Sequence, residues 1–568
     1  MVDKALPPRK RRGLRGLHRA LRRPRLHSAR HHEPRGPDRR GKRGRPLGWL
    51  RGVPHFTPEP VTGADAIHGE RVLALPKPSF RRGSPLDGVD ALALAVGADA
   101  LEWAKSVGGD AARLLVELGE FSGHAEEARL VYRREPWPPR LILAGGGEKE
   151  WYGDAERLRV AVAAGVKTAR ESGKVRRLGL MVEPGLLSAA ASVGGGEEWA
   201  WEQALVAADM ANYVYSLRRR EKPPHVLEEI VAEAPEAAER TARAVAAAVR
   251  AARDVANAPA NRMNPERLEE YVKSLAKEAP VEVEVLHRGE LESLGMGGIL
   301  AVGSGSAVEP RLIIIRYHGG GRRVALVGKA VTFDSGGLDL KPPQYMLEMK
   351  YDKAGGAAAL GSILAIALLG LPVEATALIP AVENMPSGSS YKPLDVIEMY
   401  NGVTVEVGNT DAEGRLILAD ALAYASEKIK PDVMLDYATL TGAAVVALGN
   451  HAAALMGNSD ELLRDVEEAA WRAGEPAWRL PMWPVYGKQL ESKTADTNNI
   501  GGRTAGAITA AKFLEKFVGD TRWAHLDIAG VAWVQEKGPW RPYYSQGGAT
   551  GWGVRTTVEL LRGLTRQA

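Results

Sequence analysis

Asn409-Thr410-Asp411-Ala412-Glu413-Gly414-Arg415-Leu416 places two carboxylates and an arginine at alternate positions. On a helix Asp411 and Glu413 would point to opposite sides, whereas on an extended segment residues two apart share a side. The stretch therefore reads as an extended turn that aims both acids at one point beside a permanent cation. A helix is expected to begin near Leu416, with Leu416, Ala419, Leu422 and Ala423 on one face and Pro431 as its stop. Taken alone, the octapeptide also fits a solvated loop, and its meaning depends on what lies upstream.

Upstream, Val324-Ala325-Leu326-Val327 is a short apolar run of the kind a buried strand shows, ended by Gly328-Lys329. Asp334-Ser335-Gly336-Gly337, Lys341-Pro342 and Met349-Lys350-Tyr351-Asp352 follow it. Lysine and aspartate at a strand end, with glycines permitting tight turns, suit an α/β active site where strands give way to loops. A nucleotide-binding P-loop is excluded: Ala330 stands where Ser or Thr is required, and Arg323 replaces the first glycine. Strand-like runs at 311–317, 324–327, 376–379 and 433–437 alternate with helical stretches, so a mixed sheet flanked by helices is expected. The uncharged stretch 355–373 is rich in Gly and Ala and directly follows Asp352, so it reads as a buried helix rather than a membrane span. Before this region, 235–255 is an Ala-rich helix that opens at Pro235 and is closed by Asn257-Ala258-Pro259.

A smaller α/β domain is expected over 61–228. Its strands include Ala91-Leu92-Ala93-Leu94-Ala95-Val96 and Leu141-Ile142-Leu143-Ala144. The Gly145-Gly146-Gly147 turn lacks phosphate-binding spacing and reads as a plain turn. The chain of 568 residues, 45% apolar, is long enough for two such cores. It has no cysteine, which excludes a disulfide, a thiolate metal site or a cysteine nucleophile. The N-terminus lacks the apolar core of a secretory leader, and a cytoplasmic location is expected.

Residues 1–60 form a separate, basic extension expected to be disordered. Over 1–52 there are 18 Lys and Arg against 3 Asp and Glu, a formal charge of +15; the whole chain carries +5, so the remainder sums to −10. An arm for nucleic acid or an anionic surface, a solvated tail without a role, and a translation start further downstream all fit this composition. Trp49 is the sole aromatic residue in 1–52, which argues against stacking on single-stranded bases.

Val-Gly-Lys-x-x-Thr-Phe-Asp-Ser-Gly-Gly at 327–337, Met-Lys-x-Asp at 349–352 and Asn-Thr-Asp-Ala-Glu-Gly-Arg at 409–415 together resemble the leucyl aminopeptidases, or cytosol aminopeptidases. Glu383-Asn384-Met385-Pro386, Ala438-Thr439-Leu440-Thr441-Gly442, Ile500-Gly501-Gly502-Arg503 and Trp523 to Gly530 add to the match, in family order. The resemblance is strong over about 253–561 and weak before about 229. It implies an α/β protein of two domains, with catalysis confined to 229–568 and the smaller domain supporting assembly.

Four carboxylates converging on one point would repel, and a pair of divalent cations relieves that. Oxygen ligands with one nitrogen suit Zn, Mn, Co or Mg, and no His-Glu-x-x-His is present. The resemblance implies the roles. Asp334 and Glu413 would bridge two metals, Mn or Zn. Asp411 would complete one site, and Lys329 and Asp352 the other, more exchangeable one. Lys341 would polarise the scissile carbonyl, and Arg415 would hold a bicarbonate. Met349 would line the side-chain pocket, and Leu440 and Gly442 would contact the peptide backbone. The activity implied is release of N-terminal residues, Leu-like but broadly, by a hydroxide bridging the metals, in a homohexamer acting on peptides away from membranes. Lys353 departs from the small or apolar residue usual there and puts a cation next to Asp352; Asp339 could add a carboxylate near Lys341. Two other readings stay open: a DNA-binding architectural protein using residues 1–52, and a scaffold without catalysis.

Overall fold

The computed structural model of the protein describes residues 79–135, 138–148, 153–218, 220–535, 542–544 and 547–566. The basic extension 1–60, and with it the nucleic-acid arm, lies outside them.

Six strands build the first sheet: β1 (Phe80–Arg82), β2 (Ala91–Val96), β3 (Ala128–Tyr132), β4 (Arg140–Gly145), β5 (Arg177–Val182) and β6 (Glu229–Ala232), ordered β1-β6-β5-β2-β4-β3. Central β2 is buried on both faces, as an unbroken Ala/Leu/Val run requires when helices cover both sides. All neighbours pair in parallel except β3 with β4. The sheet takes its last strand from 229–232, just past the boundary expected at 228. Gly145-Gly146-Gly147 is a turn held by its own backbone: Gly146 N donates to Val96 O at 2.8 Å and Gly147 N to Gly123 O at 2.9 Å.

The helix Glu236–Asn257 follows, with Pro235 as its N-cap residue, and leads into the second sheet. That sheet contains β7 (Glu282–Leu286), β8 (Arg311–His318), β9 (Arg322–Gly328), β10 (Ala330–Asp334) and β11 (Val373–Asn384). Two short strands, β12 (Val396–Glu398) and β13 (Thr404–Glu406), stand apart; the large sheet resumes with β14 (Val433–Ala438), β15 (Ala453–Gly457) and β16 (Ala477–Arg479). β17 (Thr497–Asn498) joins β12 and β13 in a small sheet of its own, and β18 (Trp523–Asp527) returns to the large one. The order is β16-β15-β18-β14-β9-β11-β8-β7, with β10 also on β11. β9, β14 and β18 run parallel, whereas β8 opposes β11, so the sheet is mixed, as expected.

The uncharged stretch is the buried helix Ala354–Leu369. Met349–Leu369 is long and apolar enough to cross a membrane, yet 89% of its apolar window is buried inside the fold. Its glycines explain its seat. A Cβ on Gly355 would come 2.1 Å from Tyr437 O, so glycine alone lets the helix start against the end of β14. Gly356 N then donates to Lys329 O at 2.6 Å and Lys329 N to Tyr437 O at 3.0 Å. This stitching brings Asp352, just before the helix, to Lys329, the residue that follows β9.

Candidate dinuclear metal centre

Two of the site residues sit where strands of the second sheet give way to loops. Lys329 lies between β9 and β10, and Asp334 is the last residue of β10. Asp352 follows the short 3₁₀ turn Met349–Tyr351, and Glu413 is the N-cap residue of the helix Gly414–Tyr424. That helix starts two residues earlier than the apolar pattern indicated. Glu413 has φ −81° and ψ −37°, so its backbone is helical rather than extended. The two acids nevertheless converge, because the turn before Glu413 rather than a strand brings them together. One oxygen from each of Asp334, Asp411 and Glu413 can be chosen so that all lie within 4.8 Å of one another.

Two lysines thread this acidic cluster. Lys329 Nζ stands 2.8 Å from both Asp352 Oδ1 and Glu413 Oε1, and donates to Thr439 O at 2.9 Å. Lys341 Nζ stands 2.8 Å from Asp334 Oδ2 and also meets Asp411 Oδ1. Gly414 lies against Lys329: a Cβ there would come 2.6 Å from Lys329 Cε and push the side chain aside. All of these groups except Lys341 and Asp411 are buried.

Burial and the neighbouring Glu413 raise Asp334 above the usual carboxylate range, and burial raises Asp352 well above it against the pull of Lys329. Burial, Glu413 and Asp334 push Asp411 up to about 7. Burial also works against ionised Glu413, but Lys329 and Lys341 outweigh it and hold that carboxyl low. Burial opposes charge on Lys329 and Lys341 too; Asp352 and Glu413 on the first, and Asp334 and Glu413 on the second, prevail and raise both. Protons and ammonium groups here balance charge that divalent ions would balance directly.

Unmet hydrogen-bonding capacity points the same way. Asp352 Oδ2 is buried without a partner, and Glu413 Oε1 meets Lys329 without hydrogen-bond alignment. Five donor groups, four carboxylates and one amine, offer a divalent pair a hard, oxygen-rich set with one nitrogen, and they fit it.

Arg415 occupies the first turn after Glu413. Its Nη1 donates to Asn499 O at 2.7 Å, its Nε has no partner, and burial lowers its pKa to about 10. Met349 is half-buried in the 3₁₀ turn leading to Asp352. Leu440 and Gly442 flank Thr441 at the end of β14, and a Cβ on Gly442 would meet open space. Lys353 turns away from the centre: it is wholly buried, and its Nζ donates to Ala258 O at 2.8 Å and to Lys350 O. Asp339 holds Thr410 instead of facing Lys341, accepting from Thr410 N at 2.7 Å.

Partners that sequence reasoning left without a role complete the centre. Asn384 Nδ2 donates to Asp334 Oδ1 at 2.8 Å, and Thr439 Oγ1 to Asp352 Oδ1 at 2.7 Å. Asp527 carries the turn of Leu440 and Thr441, accepting from Leu440 N at 3.1 Å and from Thr441 Oγ1 at 2.7 Å. All three lie in motifs already quoted. Tyr391, whose hydroxyl donates to Thr410 O at 2.6 Å, had no such signal.

Comparison with known proteins places the chain in one family. The catalytic-domain model of the cytosol aminopeptidase family matches residues 250–558. A probable cytosol aminopeptidase of Geobacter sp. (strain M21) is 42% identical over 461 residues, 79% of this chain and 91% of that one. One from Roseiflexus castenholzii is 43% identical over 466 residues, 80% of this chain and 93% of that one. Among solved structures, the bottromycin maturation enzyme BotP in complex with Mn superposes with a TM-score of 0.74 at 34% identity, covering 84% of this chain and 99% of that one. A cytosol aminopeptidase from Coxiella burnetii does so with a TM-score of 0.72 at 32% identity, covering 85% and 99%.

Proposed function

The chain belongs to the cytosol aminopeptidase family, and from that membership we propose that it releases N-terminal residues from peptides with a divalent metal pair held by Lys329, Asp334, Asp352, Asp411 and Glu413. The observation that carries this is the convergence of Asp334, Asp411 and Glu413 within 4.8 Å, with Lys329 bonded to Asp352 beside them. Two divalent ions, when bound, supply a Lewis acid for the scissile carbonyl and a water of lowered pKa.

The protein's own groups then act as follows. Asp334 and Glu413 would be shared between the two ions. Asp411 would complete one half, and Asp352 with the neutral amine of Lys329 the other. Lys341, whose Nζ lies 2.8 Å from Asp334 Oδ2, would stabilise negative charge growing on the carbonyl oxygen. Arg415, fixed through Nη1 and open at Nε, would hold the bicarbonate that accepts the water's proton. The turn carrying Leu440 and Gly442, pinned by Asp527, would align the peptide backbone, and Met349 would touch the departing residue's side chain. An apolar pocket discriminates one methylene by only about 1–3 kcal/mol, so preference for Leu-like residues is broad.

The Mn-bound relative supports manganese as a working ion. A homohexamer, a cytoplasmic location, and the division of the chain near 60 and 228 belong to the same proposal. The nucleic-acid alternative rests on residues 1–52 alone and draws no support from the relatives described. The test is digestion of one Leu-initiated peptide with a free and with an acetylated N-terminus, products read by mass spectrometry. Stepwise loss from the free end alone is expected. Cleavage of the blocked peptide, or internal cuts, would refute an exopeptidase.

A further inference from the structure

Asp411 is the least anchored of the five metal-binding candidates, with a side chain 34% exposed and Lys341 as its ion-pair partner. Its position depends on what grips the backbone on either side. Thr410 is gripped from one direction: its carbonyl accepts from Tyr391 Oη at 2.6 Å and Asn384 Nδ2 at 3.0 Å, and its N–H donates to Asp339. The residues around it, Gly408, Asn409 and Ala412, are gripped from the other direction by one side chain, that of Asn499.

Asn499 is fully buried and uses its entire hydrogen-bonding capacity on this loop. Its Oδ1 accepts from Gly408 N at 2.7 Å and Asn409 N at 3.3 Å. Its Nδ2 donates to Asn409 O at 2.8 Å and Ala412 O at 3.3 Å. A short amide alone combines two donors with two acceptors at that reach. The residue is itself fixed from behind, since β17 runs parallel to β13 and the ladder continues through Asn499 N to Glu406 O at 3.0 Å. Close approach is built in at Gly408, where a Cβ would come 2.4 Å from Asn498 Oδ1. Asn499 O also receives Arg415 Nη1, so one residue sets both the loop before Glu413 and the arginine after it.

We infer that Asn499 is a positioning residue for the metal centre: its amide fixes the 408–412 loop so that Asp411 is presented to the ion pair in register with Glu413. This deepens the aminopeptidase reading and rests on it. Outer-shell partners of this kind are worth about 10–100-fold in metal affinity or activity.

The test uses the full chain with Asn499→Leu, which keeps the side chain's shape and deletes all four bonds, and Asn499→Ser, a smaller change in case the first does not fold. Metal-free proteins are first shown to be folded by circular dichroism and thermal melting, and Mn²⁺ is then titrated into them calorimetrically. In a folded variant, Mn²⁺ affinity should drop about 10–100-fold for at least one ion. At saturating Mn²⁺, kcat should fall more than KM rises, because the substrate turn at 440–442 is held by Asp527 and not by Asn499. Wild-type Mn²⁺ affinity in a folded variant overturns the inference whatever the activity. A wild-type chain that takes up no Mn²⁺ overturns the metal reading itself, and this inference with it.

Discussion

Lys329 and Asp352 form a buried ion pair at 2.8 Å, and Thr439 bonds to both partners, accepting from the lysine through its carbonyl and donating to the aspartate through its hydroxyl. The lysine is thus held in its charged form by the acids with which it would share a metal.

Removing that cation leaves Asp352 buried without its salt-bridge partner and Glu413 with Lys341 alone, and breaking a buried pair in this way costs about 3–5 kcal/mol in other proteins. Lys329→Met should therefore destabilise the metal-free protein by about that amount near pH 8, and by less in acid, where Asp352 takes up a proton. Denaturant unfolding at the two pH values measures it. Stability equal to wild type at pH 8 would show that the pair does not matter to the fold.

Metal uptake should release protons. Lys329 can ligate only as the neutral amine, and Asp411 is pushed up to about 7 before any ion arrives. Both groups must lose protons, so affinity should rise with pH through 7 and fall below it. Calorimetric titration of Mn²⁺ in two buffers of different ionisation enthalpy reads this directly: the heats should differ, and identical heats would count against these ligands.

Lys341→Ala should lower kcat by about 10²–10³, the cost of one lost oxyanion donor, with a smaller change in KM and two metals still bound. Elemental analysis and steady-state kinetics on one preparation separate the two effects. Turnover near wild type would remove Lys341 from the mechanism.

A pH effect on stability is expected from a buried pair outside the proposed ligand set. His525 is buried, its Nδ1 lies 2.6 Å from Asp436 Oδ1, and Asp436 Oδ2 accepts from Trp523 Nε1 at 2.6 Å. Burial disfavours the imidazolium, but Asp436 outweighs it and raises the His525 pKa above its ordinary value. A raised folded pKa contributes stability fully below the unfolded pKa, about 6.5, and loses it as pH rises through the folded value. Melting temperatures of wild type and His525→Gln should therefore lie furthest apart in mild acid and approach each other in base. A gap independent of pH would show that the pair contributes packing alone.

Much of this was readable in the sequence because each signal was local. The Asp411-Ala412-Glu413 spacing marked two acids that do converge, through a turn and not the extended backbone it implied, and the apolar run 324–327 marked the strand that ends just before Lys329. The helix starts two residues before the apolar pattern because Gly414 and Arg415, which read as loop, form its first turn, with Gly414 lying against the Lys329 side chain. Long-range hydrogen bonds left no local trace. Asn499 reaches a loop ninety residues away, and Tyr391 reaches Thr410 from the far side, so neither stood out. Lys353 stands next to Asp352 in the sequence, but only the fold reveals that its Nζ faces the carbonyls of Ala258 and Lys350.

The most direct test of the central claim is stoichiometric. Metal-stripped protein is titrated with Mn²⁺ while hydrolysis of leucine p-nitroanilide is followed, with the N-acetylated substrate as control. Activity on the free amine alone, rising to a plateau at about two equivalents per chain, is the expected result. Full activity without metal, a plateau at one equivalent, or equal hydrolysis of the acetylated substrate would contradict a two-metal aminopeptidase.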